Sequence, residues 1–407
     1  MNGHEPSERV PMILTTVFLC SPPWLPNSSS PEGVNLVGTI PNEIRVFTFM
    51  ETLDLSSNSV SSTIPSEIAD LRSLTILKLS RNNIVGGLPQ EMENIFSLQE
   101  LMIDNNNLTG SIPQGLGKLT DLTMLFLQQN RLRGTIPVTL ALDSLEAVSL
   151  AQNQLTGTIP DSLWGLSGLM FLELQENNLS GTLSNNIIGL ESIMDLNLSS
   201  NFLTGPLPLL LGGLTSIGKF CFVLNFELQP SYVYTIPTSQ IYNVLHPDLH
   251  YLVILLASLN LSVNAFDGTI RDAFSSLTSL RLLDLSVNSL SGSVPNGLFD
   301  LSTLNTVWLD NNALDGTVPD SIDNAVNLES LRLNGNSLTG TIPSIDSGSL
   351  LSLEEFEVHE NNLTGEMPPS ICQLVVSESL TTLTSDCSSP GTPGFVQCSC
   401  CTQCFPL

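Results

Sequence analysis

Four cysteines, Cys398, Cys400, Cys401 and Cys404, crowd the stretch "VQCSCCTQCF" near the end of this chain. Thiols so close together can hold a metal, exchange electrons or cross-link. C-x-C-C-x-x-C offers four thiolates to zinc, but a zinc site usually pairs two separated C-x-x-C knuckles. "CTQC" has the spacing of a redox dithiol, yet no βαβ pattern surrounds it. Cys372 and Cys387 bring the local set to six, an even number with fifteen possible pairings. Disulfides are the favoured reading and zinc the rival.

Other reactive groups are fewer. Of four histidines, His4 is terminal, His246 and His250 fall in an irregular stretch, and His359, in "EVHENN", is expected as an exposed strand residue. Glu354 and Glu355 are adjacent, so a strand points them to opposite sides. No nucleophile elbow, phosphate-binding loop, H-E-x-x-H helix, calcium loop or kinase set is present. The expectation is a protein that is not an enzyme and carries no cofactor or metal. Only 12 Lys and Arg stand against 39 Asp and Glu in 407 residues, a net charge of −27. Nucleic acid is excluded as a partner, because phosphate binding needs basic clusters that are missing.

The elements that must position these groups are set by a repeat. "LTILKLSRNNIVGGLPQEMENIFS" (74–97) is followed in frame by "LQELMIDNNNLTGSIPQGLGKLTD" (98–121). The unit is L-x-x-L-x-L-x-x-N-x-L-x-G-x-I-P-x-x-L-x-x-L-x-x. Leucines at the fourth and sixth positions, such as Leu77 and Leu79, have period 2 and predict a short strand with both side chains inward. An Asn recurs in every repeat: Asn58, Asn82, Asn106, Asn130, Asn153, Asn177, Asn201, Asn264, Asn288, Asn312, Asn336 and Asn361. Stacked at one corner, these carboxamides can satisfy turn backbone groups that would otherwise be buried unpaired. The recurrent Gly, from Gly86 onward, allows a backbone barred to other residues, and only the first repeat departs, with Ser62. Ser184 and Arg271 replace the Pro of the Ile-Pro pair, so two looser coils are expected there.

This pattern is identified as the leucine-rich repeat, and its L-x-G-x-I-P half resembles the plant-specific subtype found in receptor-like ectodomains. The resemblance covers residues 36–371 in about twelve repeats plus a half repeat. It implies an α/β repeat fold: a right-handed solenoid, curved, with a parallel β-sheet on the concave face and 3-10 or short helical turns on the convex face. The cysteine-rich ending, resting on "CSCCTQCF", resembles that of leucine-rich-repeat proteins from diatoms.

Three segments lie outside the repeat. Residues 1–35 hold the apolar "VPMILTTVFLC" (10–20), which reads equally as a signal-peptide core or a buried N-terminal segment. Trp24 and the lone Cys20 precede the half repeat, where a plant-type cap would have a Cys pair. Residues 220–258 interrupt the array; excising them restores I-x-x-L-x-L-x-x-N. The stretch holds three of the four Tyr and the stray Cys221, and in this reading it cuts a strand. A retained intron is favoured there over a genuine loop. Residues 372–407 form a cysteine-rich C-terminal cap, since an open solenoid end exposes a core cross-section. Six N-x-S/T acceptors, at Asn27, Asn107, Asn178, Asn197, Asn260 and Asn362, together with the cysteines, favour an extracellular or cell-surface location.

Binding is expected on the concave sheet, at positions that flank the buried leucines. Ile76, Met102, Met124, Phe126 and Phe171 are large apolar residues predicted on a solvent face where the repeat requires none. Trp308 forms a second predicted anchor, flanked by Asp284 and Arg332. The expected partner is a protein, peptide or glycan, with a possible co-receptor. A secreted inhibitor of cell-wall hydrolases and a structural or adhesive wall protein are the alternatives. Few basic residues (Lys78, Arg81, Arg332) would face an inhibitor's target.

Overall fold

A computed structural model describes residues 28–29, 35–213, 256–346, 348–387 and 396–405. The apolar stretch 10–20 and residues 220–255 of the expected insert lie outside them. Fifteen parallel strands stack in chain order into one sheet, from Ser28–Ser29 to Gln403–Phe405, with neighbours such as Ile76–Lys78 and Glu100–Met102 in register. Most are three residues long, which is all that the L-x-L pattern supplies. Their central leucines, among them Leu77, Leu101 and Leu125, are fully buried in one continuous core. A second row of short strands, such as Gln154–Thr158 and Asn178–Thr182, runs along one flank. 3-10 turns such as Ser66–Asp70 and Gln90–Asn94 form the convex side, each entered from an extended Pro. Pro suits that place because its φ is already set and its missing N–H leaves no turn donor unpaired.

Asparagines tie coil to coil. Asn82 donates through Nδ2 to the carbonyls of Leu79 (3.0 Å) and, one coil back, Leu55 (2.8 Å), while its Oδ1 accepts from the Val60 N–H at 2.8 Å. The ladder crosses the interruption unbroken: Asn264 donates to Leu198 O at 3.1 Å and accepts from Leu203 N at 3.0 Å. The residue before each ladder Asn is left-handed, and at two coils it is Val263 (φ 51°) and Val287 (φ 53°). β-branched side chains there are genuine outliers.

Two expectations change. Ser184 does not loosen its coil: the turn Asn185–Gly189 forms, and Ser184 Oγ accepts from Asn186 N at 3.1 Å. Arg271 likewise precedes an intact turn, Asp272–Ser276. The interruption also does not extend to Ser258. Leu256 is 1% exposed and takes the first position of its coil. Ala257 and Ser258 N–H groups donate to Met194 O at 2.8 and 3.0 Å, and Ser258–Asn260 pairs directly with Asp195–Asn197. Ile217 and Leu256 both satisfy the frame, so spacing alone could not choose between them. With Leu256 chosen, the interruption falls between the turn Leu211–Gly213 and the strand, and the strand is whole.

The C-terminal residues continue the solenoid. One α-helix, Pro369–Val376, replaces the 3-10 turn, and two further strands, Thr382–Asp386 and Gln403–Phe405, extend the concave sheet. All six cysteines are paired, as Cys372–Cys400, Cys387–Cys404 and Cys398–Cys401. His359 is not exposed. The cap covers it to 9%, with Phe405 stacked at 3.9 Å and Thr384 Oγ1 2.7 Å from its Nδ1. Neither partner belongs to the repeat frame, so the repeat pattern carried no sign of this contact.

Candidate functional site

Along each concave strand the fourth residue enters the core and the third and fifth face outward. Lateral pairing then builds columns across the sheet. Met102 lies beside Phe126, Met124 beside Ala147, and Ala147 beside Phe171. These residues do not face solvent as predicted. They form a second apolar cluster of their own, separate from the leucine core, with Phe126 1% exposed and Met170 and Met194 packed at its edge. The cause is spacing: parallel strands are about 4.8 Å apart, so large side chains in one column must touch. Ala147 is small and leaves room for Met124 and Phe171 on either side of it. Ile76 is half-buried and stands outside this pad.

Trp308 is half-buried and stands between Asp284 and Arg332 in the neighbouring strands. Its Nε1 donates to Ser330 Oγ at 2.8 Å, and the Arg332 guanidinium carbon lies 4.4 Å from the ring centroid. Arg332 grips Glu355 with Nε and Nη2, both at 3.0 Å, and Ser330 donates to the same carboxylate. A bidentate pair over an indole face holds both side chains in one geometry. Asp284 is buried and accepts from Ser286 N at 3.0 Å and Ser286 Oγ at 2.6 Å. Lys78 pairs with Glu100 at 3.2 Å.

Acidic residues that the prediction passed over border the apolar pad. Asp195 lies beside Phe171 in the next strand. Burial and the nearby Glu173 raise its pKa to about 7, against a lowering hydrogen bond from Ser258. Burial also raises Glu173, although Ser149 Oγ donates to it at 2.7 Å. Asp310 and Glu357, near Arg332, are raised chiefly by burial too. Gln175 Oε1 and Asn334 Oδ1, at the seventh repeat position, are buried acceptors without a hydrogen-bond partner. Their column was readable in the frame, but their burial depends on neighbours a full coil away. Two surface depressions lie elsewhere, around Asp70 and Phe96 on the convex turns and around Pro295 on the flank.

The glycosylation acceptors divide by face. Asn197 and Asn260 sit on the concave strands, and each Oδ1 accepts from the serine two residues on. Asn178 and Asn362 are exposed on the flank strands.

Comparison with known proteins agrees with this architecture. A leucine-rich repeat region model matches residues 34–141, and a leucine-rich repeat model matches 144–166, 279–301, 327–348 and 352–374. Among solved structures, a plant peptide hormone receptor, RGFR1 in complex with RGF2, is 32% identical with a TM-score of 0.74 over 89% of this chain and 50% of that one. The ectodomain of the Arabidopsis receptor kinase HAESA, in complex with an IDA peptide hormone ligand, is 29% identical with a TM-score of 0.66, over 89% of this chain and 57% of its own. A plant ice-binding protein is 26% identical with a TM-score of 0.52, covering 73% of this chain and 84% of that one. No curated protein matches. The chain thus spans about half the length of the receptor ectodomains it resembles. Repeat models along both halves, a single parallel sheet with 3-10 turns and these neighbours identify the chain as a leucine-rich-repeat protein with the fold of plant receptor ectodomains.

Proposed function

We propose that this chain is the ligand-recognition module of a cell-surface or secreted receptor-like protein, and that its concave sheet binds a peptide or a protein segment. The observation that carries this reading is the second apolar cluster, which the repeat does not require, on the same face as the Trp308–Arg332–Glu355 arrangement. The receptor neighbours are named for bound peptides, and their fold is shared. Three disulfides support an oxidising, extracellular compartment. Among the described residues no helix is long and apolar enough to cross a membrane. An inhibitor role is less favoured, because the concave cations Lys78 and Arg332 are already paired with carboxylates. The test is a peptide library panned on the intact chain, followed by affinity measurement. Trp308→Ala is expected to weaken bound peptides about tenfold, as anchoring aromatics do. Peptide affinities unchanged by Trp308→Ala and by Arg332→Ala would place binding elsewhere.

A second reading has one specific support. The flank carries two exposed columns of hydroxyl side chains, including Thr109, Thr156 and Thr204 in one and Thr135, Thr158 and Thr182 in the other. Regular ranks of methyl and hydroxyl groups at strand spacing suit ordered water, and one neighbour is an ice-binding protein. Arg133 and Asp267 break the first column, which is why this reading stands second. Thermal hysteresis that Thr158→Leu abolishes would support it; its absence at millimolar protein would end it.

A further inference from the structure

We propose that Asn178 and Asn362 carry N-linked oligosaccharides and that Asn197 and Asn260 carry none, so that sugar lies on one flank of the solenoid and the concave sheet stays bare. This rests on the extracellular part of the reading above and specifies which face of the chain a partner can reach.

Placement follows from the repeat. The ladder residues Asn177 and Asn361 turn inward, and so do Leu179 and Leu363 two residues on. The residue between them therefore points outward along its flank strand, as does the Ser180 or Thr364 that completes N-x-S/T. Asn178 and Asn362 are exposed accordingly. Asn107 stands at the same repeat position but is only half-exposed, and Asn27 lies outside the described residues.

The donor is an oligosaccharide on a lipid pyrophosphate, supplied by the secretory pathway. The asparagine Nδ2 bonds to the anomeric carbon of the sugar, the bond from that carbon to the phosphate oxygen breaks, the lipid pyrophosphate leaves, and the amide gives up one proton. Transfer takes place on a chain still emerging and unfolded, so the fold decides where the bulky product can be kept. At Asn178 and Asn362 it projects into water. Asn197 and Asn260 are half-buried and directly opposite each other on adjacent concave strands, about 4.8 Å apart. Each is held by the serine of its own motif. Ser199 N and Oγ donate to Asn197 Oδ1 at 3.1 and 2.8 Å, and Ser262 N and Oγ donate to Asn260 Oδ1 at 3.0 and 2.7 Å. A sugar on either nitrogen would have to displace its neighbour in the column.

The placement also separates the two functional readings. Asn178 lies on the central strand of the five-stranded flank sheet, in register with Thr156, and Ser180 is in register with Thr158. A glycan there stands in the middle of both hydroxyl columns and keeps them from ordered water. It leaves the concave sheet open to a peptide.

The test secretes the intact chain from a eukaryotic host behind a cleavable signal. The secreted, oxidised protein is deglycosylated enzymatically in heavy-oxygen water, which marks each occupied asparagine for peptide mapping by mass spectrometry. Label is expected at positions 178 and 362 and none at 197 and 260. Asn178→Gln, Ser180→Ala and Asn362→Gln should each remove the mass of one glycan. Peptides selected on the chain should bind equally before and after deglycosylation. Bare Asn178 and Asn362 in the secreted chain, or sugar on Asn197 or Asn260, would overturn the proposal and leave peptide recognition standing. A chain glycosylated as proposed that retains no peptide would overturn recognition and leave this proposal standing.

Discussion

Phe126 stands on the sheet face away from the leucine core and is nevertheless enclosed. Its direction follows from the two-residue period of a strand, and that much was legible in the sequence. Its enclosure was not, because it is made by Met102 and Ala147 from the coils on either side. A lone column of large residues implies contact only once the strand spacing is set beside the column. The consequence is energetic. Truncating an enclosed phenylalanine removes its burial and leaves a cavity, together worth about 3–5 kcal/mol. Phe126→Ala is therefore expected to lower Tm measurably, and ligand loss in that variant would report on folding as much as on contact. Trp308→Ala, at a half-buried position, should lower Tm less. Circular-dichroism melting of the two variants decides; an unchanged Tm for Phe126→Ala would mean that the pad is not a packed unit. Val263 and Val287 are strained and exposed at adjacent coils, a cost for which the repeat offers no reason.

Strands, turns and the asparagine ladder were all readable, because each needs a residue type at a fixed place in the frame. Exceptions were harder. Ser184 lacks the ring of proline but supplies a hydroxyl to the turn, a substitution of mechanism that a column of identities hides. The interruption has two solutions in spacing, and only packing of Leu256 selects one. At the cap, the cysteines declared cross-links but not the two strands they hold. Cys387 closes on Cys404 across a separation of 17, which ties Thr382–Asp386 to Gln403–Phe405. Closing a loop of that size is worth about 3 kcal/mol. In a solenoid that stabilisation is local, since each coil touches only its neighbours. Cys387→Ser with Cys404→Ser should speed amide hydrogen exchange in those two strands and uncover His359, with little change in the coils before Asn201. A uniform rise along the whole chain would show that the cap governs the array rather than its end.

At the scale of the whole molecule the dominant fact is uncompensated negative charge, concentrated in its effect where the sheet buries it. Asp195 has an ordinary value of 3.8 and is raised to about 7 by burial first and Glu173 second. Glu146, Glu173, Asp310 and Glu357 move in the same direction, each with burial as the largest cause. A raised carboxylate holds its proton in the folded chain at a pH where the unfolded chain has released it. Stability therefore falls as pH rises from the unfolded value toward the folded one, and the full penalty stands above about pH 7. Acidification from pH 8 to about 5 should raise Tm, opposite to the usual acid loss of paired carboxylates. Relief of general repulsion at a net charge of −27 acts in the same sense, so the slope alone does not isolate the site. Asp195→Asn separates the two: it leaves the global charge nearly as it was and removes this titration. Melting curves at constant ionic strength should show the variant gaining Tm at pH 8, converging with the parent near pH 5, and losing part of the slope between them. Parallel slopes in parent and variant would mean that Asp195 titrates as an ordinary surface carboxylate.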